Sequence, residues 1–102
     1  MRRRSPRPLA VALEQLGHEA RPPTLLARVQ AAWAEVVGPA IAAEAQPVRE
    51  RDGIVTVACR SAAWASELEL LAPELLERLA AALGDTAGGS PKGLRAKVGK
   101  LP

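Results

Sequence analysis

The chain has 102 residues, the length of one small domain with tails, and is 48% hydrophobic and 25% charged, which excludes an acidic or low-complexity disordered protein. Alanine supplies 21 of the apolar residues and Leu, Val, Ile and Trp together 26, while Phe and Tyr are absent and only two Trp occur; a surface that stacks bases on aromatic rings is excluded. The formal net charge of +3 is small, so its distribution along the chain says more than its size.

The start, Met1-Arg2-Arg3-Arg4, has the look of a signal-peptide n-region, but the stretch from Pro8 to Gly17 is interrupted by Glu14 and offers no cleavage site. It reads instead as a first short helix with Leu9, Leu13 and Leu16 at helical spacing, after a disordered arm of residues 1–8. His18 to Pro23 is a linker. The second helix carries Leu25, Leu26, Val29, Ala32, Trp33, Val36 and Val37 on one stripe, with Thr24 as its cap and Gly38 at the left-handed position after its end. Pro39 begins a short helical turn, Ala40 to Glu44, which Pro47 closes.

A β-hairpin follows. Gln46 to Arg51 and Ile54 to Arg60 flank Asp52-Gly53, a pair suited to a type I′ turn. Val55, Val57 and Cys59 share one face and Thr56, Ala58 and Arg60 the other. A two-residue turn places Val48 opposite Val57 and inward; a slip of one residue turns it outward. Next comes a long helix capped by Ser61, whose Trp64, Leu68, Leu71, Leu75, Leu79 and Leu83 keep one phase across Pro73. The proline predicts a kink, or two helices meeting at Ala72 with one face inward, and Gly84 ends the run. Residues 85–93 form a turn-rich loop. Leu94, Ala96 and Val98 alternate with Arg95 and Lys97, a short strand with one apolar and one basic face that can join the hairpin as a third strand. The class is α+β, in the order α-α-β-β-α-β, with a small three-stranded sheet packed on helices.

Both ends are cationic. Residues 1–8 hold Arg2, Arg3, Arg4 and Arg7 without an acid, and residues 91–102 hold Lys92, Arg95, Lys97 and Lys100 without an acid; the stretch between holds six basic and eleven acidic residues. Segregation of this kind is a footprint for phosphate, and six such contacts to duplex DNA would give a salt slope of about −5. Tails that only solubilise the chain, or touch its own acidic body, are the plain alternative. The sequence offers no enzyme. Gly88-Gly89-Ser90-Pro91-Lys92-Gly93 lacks the spacing of a phosphate-binding loop. Cys59 has no base assigned to it, since His18 is the only imidazole; one cysteine and one histidine give no disulfide framework and no zinc site. Glu67, Glu69, Glu74 and Glu77 read as a solvated helix face, or a docking surface for a basic partner, and Trp33 and Trp64 as core residues. No cofactor, metal or small-molecule substrate is expected. No apolar run approaches the ~20 residues of a membrane span, and a soluble cytoplasmic protein is expected.

Two segments, Trp33-Ala34-Glu35-Val36-Val37-Gly38-Pro39-Ala40-Ile41-Ala42 and Arg51-Asp52-Gly53-Ile54-Val55-Thr56-Val57 running to Ser61-Ala62-Ala63-Trp64-Ala65-Ser66-Glu67-Leu68, together resemble the DciA family of bacterial proteins. Leu70-Leu71-Ala72-Pro73-Glu74-Leu75-Leu76 continues the pattern, and the resemblance covers residues 9–98, the expected domain, with a short basic tail at 99–102. It implies a KH-like domain that binds the replicative helicase, helps load it onto DNA and binds DNA itself, with no catalytic residues to carry over. The chain lacks the G-x-x-G loop with which KH domains grip single strands, so Arg2, Arg3, Arg4, Arg7, Lys92, Arg95, Lys97 and Lys100 are the candidate contacts to phosphate, without reading sequence. The alternative function is a helicase-independent module that binds DNA or structured RNA.

Overall fold

The structure, a computed structural model, describes residues 23–84 and 88–102. The helix expected at Leu9–Leu16, the arm carrying Arg2, Arg3, Arg4 and Arg7, and His18 lie outside the described residues. Within them the chain forms α1 (Leu25–Val37), α2 (Pro39–Glu44), β1 (Ala45–Arg51), β2 (Ile54–Cys59), α3 (Ala62–Leu83) and β3 (Gly93–Val98). The α+β class and the order α-α-β-β-α-β are those expected, and the turn after Pro39 is α2, a helix of six residues.

Helix α1 starts where the Thr24 hydroxyl accepts the Ala27 N–H at 3.0 Å and stops at Gly38, whose φ of 90° excludes most side chains. Pro39 then opens α2 at a position where a missing N–H costs nothing. The stripe of α1 buries Val29 and Trp33 against the sheet. Two side chains fasten the helix to β1: the Trp33 indole N–H donates to the Ala45 carbonyl at 2.8 Å and the Gln30 amide to the Pro47 carbonyl at 3.0 Å.

The sheet order is β1-β2-β3, with β1 and β2 antiparallel and β2 and β3 parallel. Asp52 and Gly53 have φ of 53° and 85°, the two positive values of the expected type I′ turn, and the Glu50 carboxylate accepts the Gly53 N–H at 2.7 Å. From the turn to Arg49 the register is the expected one. Beyond it the expectation fails: Pro47, not Val48, lies opposite Val57, and the ladder shifts between Pro47 and Arg49. Val48 is the extra residue of a β-bulge and is 37% exposed. The cause is a conflict of parity. Ala45 and Pro47 are buried under α1, whereas Arg49 and Arg51 are exposed. A regular strand points all four to the same side. The bulge lets the first two face the core and the last two face water. Pro47 therefore sits within the strand instead of closing the preceding turn, and β1 tolerates it as an edge strand.

Helix α3 is capped by Ser61, whose hydroxyl accepts the Trp64 N–H at 3.2 Å. It runs unbroken for 22 residues through Pro73, so the expectation of two helices meeting at Ala72 is not met. Pro73 is exposed and forfeits one intrahelical hydrogen bond, while Leu68, Leu75 and Leu79, buried on either side of it, hold both halves to one core. Trp64 packs against the core as expected but is only partly buried, unlike Trp33, which is 1% exposed. Part of its ring lines an open hollow with Ile41, Ser61, Ala63, Glu67 and Leu71.

Strand β3 is held at both ends of its pairing. The Lys92 N–H donates to the Gly53 carbonyl at 2.8 Å, and the Gly99 N–H to the Cys59 carbonyl at 3.0 Å. Arg28 of α1 reaches the Gly89 carbonyl at 2.9 Å and the Leu83 carbonyl at 3.5 Å, tying the end of α3 to the segment that leads into β3. Leu94 and Ala96 pack against the core as expected, but Val98 is 57% exposed. α1 packs over β1 and α3 over β3, so the helices share one face of the sheet.

Candidate nucleic-acid interface

The sheet face turned away from the helices is cationic. The register places Arg49, Thr56 and Arg95 side by side across all three strands. Arg51 lies two residues from Arg49 along β1, and Lys97 two residues from Arg95 along β3. All four cations are exposed. Neighbouring strands stand about 4.8 Å apart, so Arg49 and Arg95 are carried ~10 Å from each other with Thr56 between them. The side chains line two adjoining hollows. One is formed by Arg49, Arg51, Asp52, Ile54, Thr56 and Arg95; the other adds Glu69, Ala96 and Lys97 to the Arg49–Thr56–Arg95 row.

Ion pairs among the described residues join Arg60 to Glu44 and Arg78 to Glu74, and none involves Arg49, Arg51, Arg95 or Lys97. A phosphate arriving here displaces no such partner. Guanidinium forks match phosphate oxygens in pairs of hydrogen bonds, and the Thr56 hydroxyl adds a donor between them. Trp33 belongs to the core under α1 and Trp64 to α3, on the helical side of the sheet. The cationic face thus has no ring on which to stack a base, and what it presents are charged and hydroxyl donors of the kind that phosphate oxygens accept from.

Among the eight cations singled out in the sequence, Arg95 and Lys97 lie on this face. Lys92 flanks it at the hairpin end, its side chain close over Gly53, and Lys100 lies beyond the other end of β3. Arg2, Arg3, Arg4 and Arg7 are outside the described residues. Sequence reasoning missed Arg49 and Arg51. The signal was their spacing of two in a segment already read as a strand, masked by Glu50 and Asp52, which cancel the local charge.

The acidic residues of α3 do not form a ligand set. Glu69 accepts the Ala96 N–H at 2.9 Å, capping the outer edge of β3, and Glu74 pairs with Arg78 at 2.6 Å. Among the described residues no three of His, Cys, Asp and Glu gather as metal ligands do. Cys59 is fully buried on the inner sheet face, and burial pushes its thiol up, against a smaller opposing effect of a backbone hydrogen bond from Lys97. No described helix is long and apolar enough to cross a membrane.

Against known proteins, the family described as "Dna[CI] antecedent, DciA" matches residues 8–88. The chain belongs to the DciA family. Bacterial relatives of DciA type named UPF0232 agree with it: one from Rhodococcus jostii is 46% identical over 63 residues, covering 62% of this chain and 32% of the relative. Another from Mycobacterium tuberculosis is 36% identical over 84 residues (80% and 45%), and one from Streptomyces avermitilis 38% over 85 residues (79% and 47%). The chain thus spans less than half the length of these relatives. The DciA match includes the hairpin with Arg49 and Arg51 and ends before Lys92 and β3.

Proposed function

We propose that this chain is an adaptor in DNA replication that binds the replicative helicase and DNA and assists loading or activity of the helicase, with no catalysis of its own. Membership of the DciA family is the observation that carries this reading. The cationic sheet face supports its DNA half, since four cations without an ion pair among the described residues, carried on the two outer strands of one hydrogen-bonded sheet, are a rigid, shallow seat for phosphates. Lys92 and Lys100 flank that seat, and Arg2, Arg3, Arg4 and Arg7 add positive charge to the same chain. An adaptor that binds an open or DNA-engaged helicase ring better than the closed one shifts the ring's population by that difference in affinity, and needs no hydrolysis for it.

The test is loading of the purified replicative helicase onto single-stranded DNA with and without the full chain. A rise in loaded helicase, lost when Arg49, Arg51, Arg95 and Lys97 are replaced by Gln, is expected. Unchanged loading contradicts the proposal. Salt-sensitive DNA or RNA binding without any binding of helicase would instead favour a free-standing nucleic-acid module.

A further inference from the structure

The strand order β1-β2-β3 leaves the sheet two edges. The edge of β1 is interrupted by Pro47 and the bulge at Val48, whereas β3 runs regularly beside β2 from Gly93 to Val98. Backbone groups alternate in direction along a strand. The Gly99 N–H points to β2 and the Ala96 N–H away from it, so Leu94, Ala96 and Val98 turn their backbone N–H and C=O groups to the outer side. Among the described residues only the Ala96 N–H has a partner there, the Glu69 carboxylate. Beside this edge lie two large apolar side chains that the fold leaves in water, Leu70 of α3 at 78% exposure and Val98 at 57%. Between helix and strand, Ala65, Ser66, Glu69, Leu70 and Ala96 line an open hollow.

We infer that the outer edge of β3 takes up an extended segment of a protein partner as a fourth strand, one in which apolar and acidic residues alternate. Side chains of paired residues lie on the same face of a sheet. Positions opposite Arg95 and Lys97 therefore join the cationic face and call for Asp or Glu. Positions opposite Leu94, Ala96 and Val98 join the helical side, where Leu70 and the hollow receive apolar side chains. Backbone hydrogen bonds to the open edge supply affinity and the alternation supplies specificity. The Glu69 carboxylate holds the place of the incoming strand's carbonyl at the Ala96 N–H and is displaced by it. A second copy of the chain suits the edge badly: antiparallel pairing about Ala96 sets Arg95 of each copy opposite Lys97 of the other, like charges directly across the ladder. In the inferred pairing the segment's acids stand where the adaptor reading above has phosphates, so segment and nucleic acid exclude one another at Arg95 and Lys97. That exclusion rests on the adaptor reading; the pairing does not.

The experiment titrates the full chain with a labelled synthetic peptide, Gly-Ser-Val-Glu-Ile-Asp-Val-Ser-Gly, and with its reordered form, Gly-Ser-Glu-Asp-Val-Ile-Val-Ser-Gly, by fluorescence anisotropy. The alternating peptide is expected to bind about tenfold more tightly than the reordered one and to slow amide hydrogen exchange at Leu94 and Val98. Its affinity is expected to fall about threefold in Leu70→Ser and about tenfold in Val98→Pro, which removes an outer N–H, and to rise about threefold in Glu69→Ala, which clears the Ala96 N–H. Leu70 and Val98 are exposed, so melting temperatures within a few degrees of the unaltered chain show that the fold is kept; if Val98→Pro falls below that, Leu70→Ser and Glu69→Ala carry the test. Equal binding of the two peptides, or binding indifferent to all three substitutions, places the acids on the cationic face without strand pairing and overturns the inference. So does absence of binding by both the unaltered chain and Glu69→Ala, and so does a dimer of the unaltered chain that Val98→Pro splits. Duplex DNA released from the chain by the alternating peptide supports the exclusion. A chain that binds this peptide but no duplex overturns the DNA half of the adaptor reading and leaves the pairing standing.

Discussion

Two tryptophans of one composition class end in different roles, and the difference is decided by single contacts. Trp33 fills the core and spends its N–H on the Ala45 carbonyl. Trp33→Phe removes that donor and leaves a buried carbonyl short of a partner, a loss of about 1–3 kcal/mol. Urea unfolding checks this, and Trp64→Phe, which breaks no comparable bond, is expected to cost less than about 1 kcal/mol. Equal losses in the two variants would contradict the assignment. Cys59 gives a prediction in pH. Its thiol is held protonated by burial, so above about pH 8.5, the ordinary thiol value, the unfolded chain loses the proton first. The native state then binds more protons than the unfolded one, and stability falls as pH rises through that range. The fall is expected to shrink in Cys59→Ala; an identical alkaline slope in the two proteins would remove Cys59 as its source. Both residues were legible in the sequence as core residues, through helical spacing for Trp33 and strand alternation for Cys59. Trp64 shares the leucine phase of α3, and the sequence gave no local sign that it would be only partly buried.

At the scale of elements, the legible features were those set by short-range chemistry. Thr24 and Ser61 are caps, Gly38 stops α1, and Asp52-Gly53 makes the turn, each fixed by its own backbone and its immediate neighbours. The bulge at Val48 was not legible. It settles a disagreement between Ala45 and Pro47, wanted by the core under Trp33, and Arg49 and Arg51, wanted by water, and the first demand exists only once α1 has docked. Pro73 was visible, but its consequence depends on tertiary structure: buried leucines on both sides keep α3 whole despite a helix cost of about 3 kcal/mol relative to alanine. Pro73→Ala is accordingly expected to raise stability by about 2 kcal/mol, after subtraction of the greater freedom of the unfolded alanine chain. Chemical denaturation measures it. A lower midpoint would mean that the proline shapes the helix for its contact with β3, where Glu69 holds the Ala96 N–H.

For the whole molecule, the strands and the residues flanking β3 gather Arg49, Arg51, Lys92, Arg95, Lys97 and Lys100, while the helices gather six glutamates. The sequence displayed half of this division. Its basic last segment was plain, because no acid interrupts it, but the arginines of β1 alternate with acids and disappear in any average along the chain. Register restores them, since alternation along a strand becomes segregation across a sheet. Edge protection follows the same logic. Two outer carbonyls of β1, those of Ala45 and Pro47, are taken by Trp33 and Gln30 and the outer N–H of Ala96 by Glu69, which blunts part of each edge for pairing with another chain. Among the described residues the cationic face of the sheet stays exposed, and the account rests on its holding nucleic-acid phosphates. The most direct measurement is the salt dependence of duplex binding by the full chain and by a variant with Arg49, Arg51, Arg95 and Lys97 replaced by Gln. With four phosphate contacts removed, the slope of log affinity against log salt is predicted to become shallower by about 3.6, uniformly across DNA sequences. A slope and affinity unchanged by the four substitutions would contradict the account.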